Sequence, residues 1–157
     1  MRPLRLVLVA AAAAVGACAG PSPAADTAQR CTADVNAPLA RLVHDGTTRP
    51  IDGVVVCGVT ISASRTQSGG PHGDHQILVV RAPFPDGSRP LVEVVTNDAL
   101  DGPVTAPAGA AVAAYGQYFA PRRRYAAGLH DVHCATHRGA VNGWVSVDGR
   151  RYPQSCR

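Results

Sequence analysis

The chain has no lysine, one glutamate, one methionine, one tryptophan and two phenylalanines among its 157 residues. Each shortage excludes something. A single glutamate, Glu93, rules out a paired-glutamate glycosidase and leaves only aspartates for carboxylate acid–base work. So few aromatic rings do not make an extended base-stacking platform. Positive charge rests on 15 arginines, set against 11 acidic residues for a formal net charge of +4. Arg2 and Arg5 belong to the extreme N-terminus, and without them 13 arginines face the same 11 acids. A residual excess of this size is not the clustered positive surface that a phosphate backbone requires, so nucleic acid is not expected as a partner. The sequence also lacks a G-x-S-x-G nucleophile elbow, an H-E-x-x-H pair and a close C-x-x-C pair. These absences disfavour a serine hydrolase of that type, a zincin, and a thioredoxin-like or zinc-knuckle site.

One long apolar run is present, from Leu6 to Val15, and it is too short for an ordinary transmembrane helix. Arg2 and Arg5 precede it. Val15, Gly16 and Ala17 follow as small residues, and Cys18 stands directly after them. A plain secretory leader needs the positive start, the apolar core and the small residues, but no cysteine. The pattern predicts a lipoprotein signal peptide over residues 1–17, with Cys18 as the lipidation site and first mature residue. Residues 18–30, rich in small, polar and proline residues, read as a lipidated flexible tether. Residues 31–157 are then one domain. The expected location is extracytoplasmic, held to the cell membrane through the lipid, or secreted if the leader is a plain one.

Export also frames the remaining cysteines. Cys31, Cys57, Cys134 and Cys156 are even in number, which outside the cytoplasm predicts two disulfides with three connectivities to choose among. Cys31–Cys156, tying the two ends of the domain, is the preferred first bond, with Cys57–Cys134 as a central staple.

Asp34 or Asn36 opens a short amphipathic helix through Ala37, Leu39, Leu42 and Val43, stopped by His44, Asp45 and Gly46 and suited to lie over a sheet. The rest reads mainly as strands: Val54–Ile61, Gln76–Arg81, Leu91–Thr96, Ala111–Phe119, a bulged stretch over 126–134, and Val141–Val147. Ser62–His75 is polar and glycine-rich and reads as a loop. About five or six short strands with one small helix predict a mainly β fold: a small antiparallel, partly closed barrel of the oligonucleotide/oligosaccharide-binding (OB) type. A small sandwich is the alternative.

Polar clusters fall near the strand ends. His75 and Gln76 stand at the entry to a strand, after His72 and Asp74. Asn97 ends the next apolar strand, followed by Asp98 and Asp101. His130 and His133 flank Asp131 and precede Cys134. In a regular strand these two histidines would point to opposite faces, so they share a site only if a turn or bulge intervenes. Asp131 could then orient an imidazole. No cofactor is expected. Zinc is the one metal that His130, His133 and Cys134 could suit, and a disulfide at Cys134 would remove its thiolate. Arg122, Arg123 and Arg124 read as a solvated hairpin turn, with anionic headgroups, wall polymers or nucleic acid as alternative contacts. Trp144 is expected to anchor the last strand in the core.

The order of His75-Gln76, Asn97, Gly116-Gln117-Tyr118, His130-x-x-His133, Gly143-Trp144, and Gly149 with Tyr152 resembles a family of small exported bacterial domains of no known function. The resemblance spans about residues 53–152. Family members usually carry His-Trp-Thr-His-His where this chain has His130-Asp131-Val132-His133-Cys134, so Asp131 and Cys134 replace the tryptophan and the third histidine. The resemblance implies a shared barrel but no transferable activity.

Together these readings predict an extracytoplasmic binding or structural lipoprotein of the cell envelope, its ligand a possible wall or envelope component. The expected polar site comprises His75, Gln76, Asn97, Tyr118, His130 and His133. The alternative is a metal-dependent or histidine-based hydrolase of the phosphodiesterase or nuclease type. In it, His133 or His75 acts as base, Asp131 orients it, and an arginine from 122–124 offsets phosphate charge.

Overall fold

Leu91–Asn97 shows the pattern of the whole molecule in seven residues: Val92, Val94 and Thr96 are buried, and the residues between them are half-exposed. A strand that alternates in this way has one face in a core and one toward solvent. The computed structural model describes residues 31–69, 73–121 and 124–156. The leader, Cys18, the tether, His72, Arg122 and Arg123 lie outside the described residues. The elements in chain order are α1 (Ala37–His44), β1 (Ile51–Thr60), β2 (Arg65–Gln67), β3 (His75–Arg81), β4 (Leu91–Asn97), α2 (Asp98–Asp101), β5 (Ala111–Phe119), β6 (Ala127–His130), β7 (Trp144–Val147) and β8 (Arg150–Tyr152).

Strands β1, β3, β4, β6 and β5 are hydrogen-bonded in that order, and β5 pairs back to β1, closing a five-stranded barrel. The expected small barrel with one short N-terminal helix is therefore present. One detail departs from an all-antiparallel sheet: β4 and β6 are parallel, with Val92 beside Ala127 and Val94 beside Leu129. The reason is topological. The connection after β4 carries the chain round to β5, which takes the place beside β1, and β6 then fills the remaining gap running the same way as β4.

The loop expected over residues 62–75 contains β2, which continues the edge of β1 along β3, Gln67 opposite His75. All three β2 residues are exposed, so no apolar alternation marked it. β7 and β8 extend from β5 outside the closed ring. The strand expected from Val141 is β7, which starts at Trp144, and Val141 is 39% exposed; β8 follows it as the last strand.

The interior is filled by short branched and small side chains, among them Val56, Leu78, Val80, Val92, Val94, Ala114 and Leu129. Helix α1 adds Leu39 to this core and lies against the β3–β4 turn around Phe84. Asn36 precedes the helix but does not cap it with its side chain. Instead its Nδ2 donates to the carbonyls of Cys57 (3.0 Å) and Pro83 (2.8 Å), and its Oδ1 accepts from the Cys57 amide (2.8 Å). This fully buried amide bolts the helix to β1 and to the β3–β4 turn at once.

The disulfides are Cys31–Cys57 and Cys134–Cys156, not the expected Cys31–Cys156 and Cys57–Cys134. The segment before α1 runs along β1, which sets Cys31 and Cys57 at a Cα separation of 5.6 Å. The chain after β8 returns to the segment following β6, where Cys134 and Cys156 stand 5.3 Å apart. Two such bonds indicate an oxidising, non-cytoplasmic environment. Among the described residues, no helix is long and apolar enough to cross a membrane.

Replacing Asn36 by alanine would strand the Cys57 amide and two carbonyls without their partner. The expected cost is about 3 kcal/mol of stability, because orphaned buried backbone groups lose their hydrogen bonds without regaining water. Urea denaturation of Asn36→Ala against the parent measures it, and a loss below about 1 kcal/mol would contradict this account of how the helix is held.

Candidate functional site

The β3–β4 register sets His75 opposite Asn97 and Ile77 opposite Val95. Because side chains alternate, His75, Val95 and Asn97 share the outer face at one end of the barrel. The parallel strand β6 carries His130 toward the same end. On the far side of β6, Phe119 of β5 pairs with Gly128. A Cβ on Gly128 would overlap the phenyl ring, so glycine is what lets that ring lie across β6. Phe119 then meets the His130 imidazole edge-on, with ring centroids 5.3 Å apart.

Strand β6 stops at His130, and Asp131 takes a left-handed backbone conformation (φ 51°). Aspartate tolerates this region better than most non-glycine residues. The turn is nested against two glycines. A Cβ on Gly116 would overlap the His130 carbonyl, and one on Gly143 the Asp131 carbonyl. The Gly143 amide also donates to the His133 carbonyl at 2.7 Å. The turn supplies the intervening irregularity that the His130–His133 spacing required: both imidazoles now line one pocket.

Asp131 Oδ1 lies 3.1 Å from His130 Nδ1 and 3.5 Å from His133 Nε2. His133 Nδ1 is 2.8 Å from the Cys134 carbonyl, which can only accept, so Nδ1 carries the proton and Nε2 faces the pocket as an acceptor in the neutral ring. The pocket encloses about 340 Å³, with Val95 and Phe119 as its apolar surfaces and His75, Thr96, Asn97, His130, Asp131 and His133 as its polar ones.

Asn97 and Asp101 hold the turn that follows β4. Asn97 Oδ1 accepts from the Ala99 amide at 2.9 Å and caps the single turn of α2. Asp101 Oδ2 accepts from the Asn97 amide at 2.8 Å. Asp101 is buried and its Oδ1 has no hydrogen-bond partner. Burial therefore raises its carboxyl above the ordinary aspartate range, while the Asn97 amide and the nearby His133 and His75 pull it down and Asp98 adds to the rise. On the outer face of β4, burial likewise raises the Glu93 carboxyl, against the pull of Arg65.

Of the six expected binding residues, His75, Asn97, His130 and His133 line the pocket. Gln76 does not line it. Its amide is buried and donates to Asp98 Oδ2 (3.0 Å) and Thr66 Oγ1 (3.2 Å), which ties β2, β3 and α2 together. Tyr118 is also turned away: it is buried in the core, and its hydroxyl donates to the Thr47 carbonyl at 2.6 Å. Trp144 is half-exposed rather than a core anchor, stacked on Tyr115 and covered by the Arg151 guanidinium. Phe119 and Val95 were missed as members of the site. Neither carried a polar signal.

Among the described residues, no three His, Cys, Asp or Glu side chains are grouped so as to hold one metal ion. Cys134 is committed to its disulfide and has no thiolate to offer.

The raised Asp101 carboxyl has a consequence for stability. As pH rises from the ordinary aspartate range through the raised folded value, the unfolded chain releases this proton first, so folding loses stability across that window and the loss stays constant above it. Asp101→Asn keeps an acceptor for the Asn97 amide and has no charge to bury. The variant is expected to exceed the parent in stability at neutral pH, with the difference shrinking toward about pH 3. Urea midpoints measured over that range decide it, and parallel curves would contradict it. No known protein family, curated protein or solved structure matches the chain.

Proposed function

We propose that this protein is a cell-envelope lipoprotein whose barrel binds a small polar ligand at the mouth formed by β3, β4 and the turn after β6. One observation carries the reading: His75, Asn97, His130 and His133, distant in sequence, converge on a single half-open pocket. Concave sites with a few converging polar groups over apolar walls are the usual form of a ligand site. The barrel type adds support, since OB barrels bind ligands on the outer face of their second and third strands, which here are β3 and β4.

A histidine-based hydrolase is the second reading, favoured by the contact of Asp131 with His130 Nδ1 at 3.1 Å, which leaves His130 Nε2 as the base. It needs a nucleophile. The one hydroxyl among the pocket residues, on Thr96, is buried, so the attacking group would be water. The motif order shared with exported domains of no known function fits either reading and adds no activity.

The anchor and the pocket are tested separately. Cys18→Ser is expected to abolish incorporation of a labelled fatty acid and to release the protein from the membrane fraction. Unchanged labelling would refute the anchor. For the pocket, ligand-observed NMR over wall fragments, neutral sugars, peptides and simple anions is expected to yield a saturable ligand. His130→Ala should weaken it by about tenfold or more, the loss of roughly one good contact. The absence of any saturable ligand would refute the binding reading, and turnover of a bound compound that His130→Ala abolishes would favour the hydrolase.

A further inference from the structure

The pocket does not end at Asp131 and His133. A second hollow of about 200 Å³ adjoins it and is lined by the same two residues. Its other walls come from β1, β5 and the segment after the Cys134 disulfide, with Leu100 of α2 and Val141 at its lips. Leu100 and Val141 are 46% and 39% exposed, two of the four large apolar side chains that the described surface leaves in water.

The polar groups of the two hollows are of one kind. Among the described residues neither is lined by an arginine, and the chain has no lysine. The walls instead carry imidazoles, amides and two carboxylates, Asp131 and Asp52. A phosphate, sulfate or carboxylate ligand would face those carboxylates with no guanidinium or ammonium to offset the repulsion. A hydroxyl both donates and accepts, and this wall does the same. Carboxylates accept, the His75 imidazole offers one of each, His133 presents Nε2 as an acceptor, and Gln117 carries both in one side chain. Gln117 is held ready by donating to Asp52 at 2.6 Å. The apolar surfaces, Phe119 and Val95 in the first hollow and Leu100 and Val141 in the second, suit the C–H faces of sugar rings.

We infer that the ligand is an uncharged oligosaccharide whose successive sugar units occupy the two hollows, crossing between them over Asp131 and His133. This rests on the binding function proposed above and specifies its ligand class and its number of subsites. A ligand of one ring would fill one hollow and leave the other in water; a chain uses both.

Calorimetric titration of the full exported chain, in phospholipid nanodiscs, tests it. The probes are maltotetraose, cellotetraose, mannotetraose and chitotetraose, each with its monosaccharide. Tripolyphosphate and a sulfated tetrasaccharide serve as anionic comparators. A neutral tetrasaccharide is expected to bind at least about tenfold tighter than its own monosaccharide. His137 lines only the second hollow, is exposed, and its ring bonds only to the neighbouring Arg138 carbonyl (3.2 Å), so His137→Ala leaves the fold intact. That variant should weaken the tetrasaccharide several-fold and leave the monosaccharide unchanged, whereas His130→Ala should weaken both. Equal affinity for one ring and four would overturn the two-subsite arrangement. Binding by the anionic probes alone would overturn the neutral-glycan assignment and leave the binding function standing. No saturable binding by any probe overturns the glycan assignment, and it extends to the binding function only if the wider ligand screen is also empty.

Discussion

Everything in this molecule depends on β1 being hydrogen-bonded along both of its edges. Val59 is paired with Arg81 of β3 on one side and with Ala111 of β5 on the other. Without the second pairing, the β5–β7–β8 side of the sheet would open away from β3 and β4 and expose two strand edges. Double pairing forces the strand to coil tightly, and the cost is met at Gly58, where a Cβ would overlap the Arg81 carbonyl. A five-stranded barrel is also narrow inside. Valine, alanine and leucine fill it, with Tyr118 as the one large ring in the closed core besides Phe84 at the turn. The scarcity of aromatic residues in the sequence is thus matched by the size of the space they would have to occupy.

Closure fixes the site as well as the core. Because β6 runs parallel to β4, its C-terminal end arrives beside Asn97 and His75. An antiparallel β6 would deliver His130 to the opposite end of the barrel, beside Leu91. The histidines on either side of Asp131 then depend on a single backbone torsion. Only the left-handed conformation at Asp131 brings His133 back toward the face that His130 already occupies, and only glycine at 116 and 143 leaves room for the carbonyls of that turn.

The sequence made the barrel legible wherever a strand had one wet and one dry face. The apolar alternation in β4 and the branched runs of β1 and β3 marked strands that are there. β2 and β8 were illegible because their side chains are mostly exposed and show no apolar alternation. At the site, the errors have one cause. Gln76 is one residue from His75, and Tyr118 one residue from Phe119. In each pair the neighbour lines the pocket while the residue named points the other way. Strand position was read correctly to within a residue, but a shift of one residue moves a side chain through the sheet. The burial of Asp101, which accepts from the Asn97 amide, follows from the turn after β4 and not from any local pattern.

The disulfides were misassigned for a related reason. Tying the ends of a domain together is the arrangement that most restrains an unfolded chain, since the stabilisation grows with the loop closed, but only slowly. Bonds across 26 and 22 residues give up little on that account, roughly 3 kcal/mol each by chain entropy. They gain in position. Cys31–Cys57 holds the chain entering the domain against the same residue whose backbone Asn36 grips. Cys134–Cys156 fixes the residue whose carbonyl receives the His133 Nδ1 proton. The backbone that selects the imidazole tautomer is therefore cross-linked to the C-terminal segment, and an oxidising compartment supports the geometry of the pocket as well as the stability of the fold.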